Sequence, residues 1–134
     1  MLSRDRNIVS RELNAVAHPV AAGARFHKGA IVALDANANA VPGTATAGLV
    51  AVGHCPAAVD NTAGGNGEVD VIAEVGRAFR YDNDAVAPVT RANIFEPCFI
   101  KDDCTVSADG TGRSRAGTVV DLDEDGVWIR FEKG

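Results

Sequence analysis

Turn-forming residues interrupt this chain so often that no long helix fits within it. Apolar, β-branched runs at Gly29–Leu34, Leu49–Gly53, Glu68–Val75, Arg77–Tyr81 and Pro97–Lys101 are each short. They are separated by Asp35–Ala40, Val41-Pro42-Gly43, the loop Asp60–Gly67 and Gly76. Gly, Asn, Asp and Pro each favour turn geometry, and short runs with a period of two between such breaks are strands. About six to eight such runs at fairly even spacing imply an all-β fold, either a small β-sandwich or a partly open barrel. Residues 1–20 form an expected N-terminal arm, and 21–134 a single β-rich domain. At most one short helix is expected, at Thr90–Phe95, where Thr90 caps and Pro97 terminates. Ser10–Val16 is open to a short helix or to an extended arm that orders on a partner, and His18-Pro19 would break any helix there.

The last strands carry a conflict. Asp121 to Glu132 matches the calcium-loop pattern D-x-D-x-D-G-x₅-E at every specified position, with Asp121, Asp123 and Asp125 as candidate metal ligands. Such a loop needs a helix on each side, and Gly117–Val120 is instead β-branched. Within the loop, Val127, Ile129 and Phe131 alternate with Trp128, Arg130 and Glu132. The segment therefore reads as a hairpin: strand Thr118–Leu122, turn Asp123–Gly126, strand Val127–Glu132. A looser ion site on the turn carboxylates is the weak remainder. Trp128 and Arg130 fall on the face opposite the apolar residues, where a tryptophan beside an arginine suits a contact surface.

At 134 residues the chain holds one domain. Its apolar content is 46%, much of it alanine, while aromatics make up 5%. Small side chains bury little area each, so a homo-oligomer is expected to supply further burial. The formal charge of −5 offers no electrostatic footprint for direct nucleic-acid binding. The start is locally basic at Arg4, Arg6 and Arg11, whereas acids gather at Asp102-Asp103 and Asp121–Asp125, so the arm suits an acidic protein surface. No apolar run is long enough for a membrane span, and no signal-peptide core is evident. Cys55, Cys98 and Cys104 are too few and too widely spaced for a disulfide framework and point to a reducing compartment.

No catalytic constellation emerges, no cofactor is expected, and the chain reads as a non-enzyme. His54 and Cys55 are adjacent on a strand and point to opposite faces, which defeats a nucleophile–base pair. His18 and His27 lie in no recognisable catalytic neighbourhood, and Cys98-x₅-Cys104 lacks the paired short spacing of a zinc site. Asp109-Gly110-Thr111-Gly112 is a glycine-rich turn. Gly64-Gly65-Asn66-Gly67 lacks the Lys-Ser/Thr of a phosphate loop and reads as a flexible connection.

Taken in order, Asp5-Arg6-Asn7, Gly29–Asp35, Ala40–Gly43, Gly48–Gly53, Val59–Asn61, Gly76–Tyr81, Thr90–Ile94, Pro97–Ile100, Asp102-Asp103, Thr105-Val106, Asp109–Gly112 and Ala116–Phe131 cover nearly the whole chain. In that order they resemble a family of small proteins of Mu-like and related tailed phages and prophages, encoded beside the major capsid protein. That family is similar to capsid decoration or cement proteins. Cys104 and His54-Cys55-Pro56 depart from its pattern. The recombinase label that some members carry finds no phosphate loop here. The resemblance implies a structural virion protein, assembled in the bacterial cytoplasm and seated as a homotrimer on the outer capsid surface. Its partner would be the major capsid protein, and Arg4, Asp5, Arg6, Asn7 and Arg11, with Trp128 and Arg130, are the candidate contacts. The alternative is a calcium-dependent adhesion or carbohydrate-binding β module using Asp121, Asp123 and Asp125.

Overall fold

A computed structural model describes residues 1, 3–7, 10–11 and 13–132. Leu2, Ile8, Val9 and Glu12, which belong to the expected arm, lie outside the described residues. The fold is all-β, as the turn spacing implies. Its twelve strands among the described residues exceed the expected six to eight.

Five strands form an antiparallel sheet in the order β1 (Ala15–Pro19), β7 (Asp70–Glu74), β5 (Val50–His54), β3 (Ile31–Leu34) and β4 (Ala40–Pro42). A parallel bridge between Val20 and Ala40 brings the two edges of this sheet together, so it curls almost onto itself. Proline cannot donate to a ladder and is confined to edges. Pro19 and Pro42 duly occupy β1 and β4. The remaining long strands, β8 (Phe79–Asn83), β9 (Pro97–Ile100), β10 (Thr105–Ser107), β11 (Arg115–Asp123) and β12 (Gly126–Arg130), close into a barrel in the order β10-β8-β12-β11-β9. A two-residue pair, β2 (Arg25–Phe26) with β6 (Val59–Asp60), completes the set.

The unanticipated strands are the short or proline-bearing ones. Arg25-Phe26 and Val59-Asp60 are too brief to show a period, and Ala40 ends a stretch that reads as turn. β1 also moves the arm boundary. Ala15–Pro19 pairs with β7 in register, Ala17 opposite Ile72, and Val75 N–H extends the ladder to Asn14 O at 2.9 Å. The body therefore begins at about Asn14 rather than at residue 21, and Ala15 and Val16 are strand, not helix. Among the described residues the one helical element is a single 3₁₀ turn, Arg91–Asn93, inside the expected Thr90–Phe95. Gly76 supplies the anticipated bend, at φ +90°.

Two apolar clusters result. The barrel is filled by Tyr81, Val89, Ile100, Val106, Val119, Val127, Ile129 and Phe131, and the curled sheet by Val20, Phe26, Val32, Val71 and Ala73. Alternation along β3 and β5 joins them. Ile31 and Ala51 face the barrel cluster, while Val32 and Val52 face the other. Both faces of β3 and of the middle of β5 are thus buried, which explains why they read as unbroken apolar runs. Full burial of each large aliphatic side chain stabilises by roughly 1.5–3 kcal/mol.

Candidate contact surface

The segment from Asp84 to Glu96, between β8 and β9, has no strand of its own but is braced along its length. Asp84 is 1% exposed. Lys101 Nζ lies 2.7 Å and an Arg113 guanidinium nitrogen 3.7 Å from its carboxylate. Val86 N–H and Ser107 Oγ donate to it at 3.0 and 2.8 Å. The Lys101 ammonium first, then the Val86 and Ser107 donors, hold its carboxyl far below the usual carboxylate range. The Asn83 side chain grips Val89 at both polar groups, donating to its carbonyl at 2.9 Å and accepting from its N–H at 2.8 Å. Ala108 N–H reaches Ala87 O at 3.0 Å, and Asn93 Oδ1 accepts from Thr90 N–H at 2.8 Å. Val89 is buried in the barrel core, and Ile94 packs against it.

This braced segment displays two large apolar side chains to solvent, Val86 at 86% exposure and Phe95 at 78%. Phe95 also sits at φ +65°, a left-handed conformation costing a bulky residue about 1–2 kcal/mol. Two backbone hydrogen bonds hold it there: Phe95 N–H to Val119 O at 2.7 Å, and Val119 N–H to Glu96 O at 3.0 Å. Arg91 and Glu96, near Phe95 in sequence, are also exposed, Arg91 pairing with Asp121 at 3.2 Å.

A cavity of about 200 Å³ opens where β5 meets β11. Leu49, Val50, Ala51 and Ala116 supply its apolar lining, and Arg115 and Glu132, an ion pair, supply its charged rim. Ser114 fixes the approach of the two strands, since its Oγ accepts from Leu49 N–H at 2.8 Å and donates to Thr46 O. Thr118 Oγ1 holds Glu132 at 2.8 Å. Val50, at the mouth, is 41% exposed.

The residues singled out in the sequence are placed as follows. Arg4, Asp5, Arg6, Asn7 and Arg11 are exposed and lie outside any strand. Trp128 and Arg130 do face away from the barrel interior. Trp128 is only half-buried: its indole N–H donates to Asp123 Oδ2 at 2.8 Å, and the Arg80 guanidinium lies 5.8 Å from its ring centroid. The hairpin reading holds, with Asp123 opposite Gly126 and Leu122 opposite Val127. The turn carboxylates diverge. Asp121 pairs with Arg91, Asp123 accepts from Trp128 and from the Asp125 and Gly126 amides, and Asp125 lies 3.9 Å from Arg80. They do not gather around a common point. Among the described residues the compact trio of ligand-bearing groups is instead Asp102, Asp103 and Cys104, and there Asp102 caps the Cys104 amide at 2.9 Å in an ordinary turn.

His54 and Cys55 point to opposite sides, as strand alternation requires. His54 stacks on Phe79 with ring centroids 4.6 Å apart, and its Nδ1 lies 3.6 Å from Glu74 Oε1, beyond hydrogen-bond reach. Burial lowers its pKa, against the attraction of Glu74. Cys55 is fully buried in the sheet cluster, and burial raises its pKa. Burial likewise pushes the Cys98 thiol up to about 12 and raises that of exposed Cys104. None of the three thiols is poised as a thiolate. The loop at Gly64–Gly67 is pinned rather than loose. Buried Asn61 donates to Ala21 O and Gly65 O at 3.0 Å each, Gly67 N–H reaches Val20 O at 2.9 Å, and any Cβ on Gly64 would overlap Asn61.

Phe95 and the β5–β11 cavity were not legible as contact features. Phe95 lies inside an apparent helical turn, and only its left-handed backbone turns it outward. The cavity joins residues that are far apart in sequence. Comparisons with protein-family models, with curated proteins and with solved structures gave no match.

Proposed function

We propose that this chain is a structural subunit of a tailed-phage virion, a decoration or cement protein. It binds the assembled head from outside, as a trimer, and holds neighbouring major capsid subunits together. The sequence resemblance supplies the identity of the partner. The observation that carries the contact role is the braced Asp84–Glu96 segment, which holds Val86 out to solvent on a backbone anchored through Asp84 and Asn83. Preorganised apolar side chains of this kind lower the entropy cost of docking and serve as anchors. A clip that recognises only the assembled lattice stabilises it by mass action, and repeated copies multiply weak contacts. The exposed basic arm supplies a second attachment by lying across an acidic neighbour or adding a strand to it.

The calcium-dependent adhesion reading is the less favoured one, because Asp121, Asp123 and Asp125 are directed to three separate partners and not to a common point. The experiment is electron microscopy of heads built from the capsid protein encoded beside this chain, with and without the purified polypeptide. Regular density at local symmetry axes, and heads that survive greater heat or chelation, are expected. Bare heads at saturating polypeptide would refute the reading.

A further inference from the structure

We propose that copies of this chain associate head to tail, with Phe95 of one copy seated in the β5–β11 cavity of the next. The proposal deepens the trimeric reading above, on which it rests for the closed ring. Knob and socket are compatible in size: a cavity of roughly 150 Å³ holds a benzene ring, and the open cavity lined by Leu49, Val50, Ala51 and Ala116 with Arg115 and Glu132 is about 200 Å³. The ring does not fill its own chain's cavity, because Phe95 is 78% exposed. Both features have an unspent driving force, since an exposed phenyl and a half-exposed valine each gain by leaving water.

Charge fixes the orientation. The exposed residues Arg91 and Glu96 lie close to Phe95 in sequence, and Arg115 and Glu132 line the socket, so each side carries one cation and one anion. One way of docking sets Arg91 toward Glu132 and Glu96 toward Arg115, with the Arg115 guanidinium available to the face of the incoming ring. Within one copy these arginines already pair with Asp121 and Glu132. Such exposed pairs contribute little, so exchanging partners across an interface carries little penalty. The left-handed backbone at Phe95 supports the same conclusion. Glycine would fit that position without strain, and a phenylalanine held there in water stabilises nothing within its own chain. Knob and socket are different surfaces, so the contact is heterologous and generates a ring when its rotation closes.

The test is sedimentation of the purified full chain at micromolar concentration, alone and as two exposed-site variants. Phe95→Asn keeps a residue that tolerates the left-handed region, and Val50→Glu places a charge at the socket mouth. Wild type is expected to run as a trimer. Each variant is expected to keep its circular dichroism, and to melt as the wild type does at concentrations low enough for both to be monomeric, while associating at least about thirty-fold more weakly, the loss typical of an interface hot spot. An equimolar mixture of the two retains one intact knob and one intact socket, and is expected to form mixed pairs that neither variant forms alone. Trimers that persist in both variants would overturn the knob and socket while leaving the trimeric reading standing. A monomeric wild type would overturn both. Variants that dissociate but fail to pair on mixing would overturn the head-to-tail arrangement.

Discussion

At the scale of single residues, Asp84 is the position on which most depends. A carboxylate removed from water is tolerated only while its charge partners and donors remain, and here Lys101, Arg113, Ser107 and Val86 N–H all converge on it. Asp84→Asn leaves Lys101 and Arg113 beside a neutral group, and is expected to lower Tm by roughly 10 °C or more in a thermal melt. Because folding depresses the Asp84 pKa, its stabilisation is complete above the unfolded value of 3.8 and is lost as pH falls through the folded value. The histidines act at milder pH in the same direction. His18 and His54 both have pKa values lowered, chiefly by burial, below 6.5. The unfolded chain therefore binds more protons, stability is full above pH 6.5, and it declines as pH falls below that value. Tm at pH 5.5 is expected to be lower than at pH 7.5, and the double change His18→Gln with His54→Gln is expected to shrink that difference. None of this was visible in the sequence. Asp84 sits in an unremarked Asp-Asn-Asp stretch, and its burial comes only from the meeting of β8 with β10.

Among elements, legibility followed length and periodicity. β12 was readable because Val127, Ile129 and Phe131 alternate over a full strand, and β3 and β5 because burial on both faces leaves them uniformly apolar. The calcium-loop pattern misled only as a pattern: its aspartates serve the hairpin turn, where Asp123 caps the Asp125 and Gly126 amides. β1, β2, β4 and β6 escaped notice because two residues cannot show a period and proline reads as a break. The elements also separate positions that serve the fold from those that do not. Gly117 lies at the β11 bulge, where a Cβ would overlap the Arg130 carbonyl. Gly117→Ala is accordingly expected to unfold at clearly lower denaturant concentration. Phe95→Gly makes the opposite case, since it releases a left-handed strain of about 1–2 kcal/mol while adding backbone freedom to the unfolded chain. Measured at a concentration where the wild type is monomeric, its denaturant midpoint is expected to match or exceed that of the wild type. A marked fall would mean that Phe95 serves its own fold after all.

For the molecule as a whole, charge and burial divide the chain at about Asn14. Residues 1–14 carry three arginines against two acids, leaving ten basic and sixteen acidic residues in the body beyond them. The exposed described residues of the arm make no contact that the two apolar clusters require, because both clusters begin at Val20 or later. Removing residues 1–12 should therefore leave the body's melting temperature unchanged within about 2 °C, a shift corresponding to well under 1 kcal/mol in a domain of this size. A basic arm that orders on an acidic neighbour gains its energy only in the complex, so the truncated chain should bind heads more weakly. The loss should shrink as salt is raised, because screening already removes the arm's electrostatic share from the intact chain. The measurement is occupancy on heads against polypeptide concentration at low and high ionic strength. If intact and truncated chains give superimposable curves at low salt, the arm takes no part in attachment, and the braced Asp84–Glu96 segment must account for binding without it.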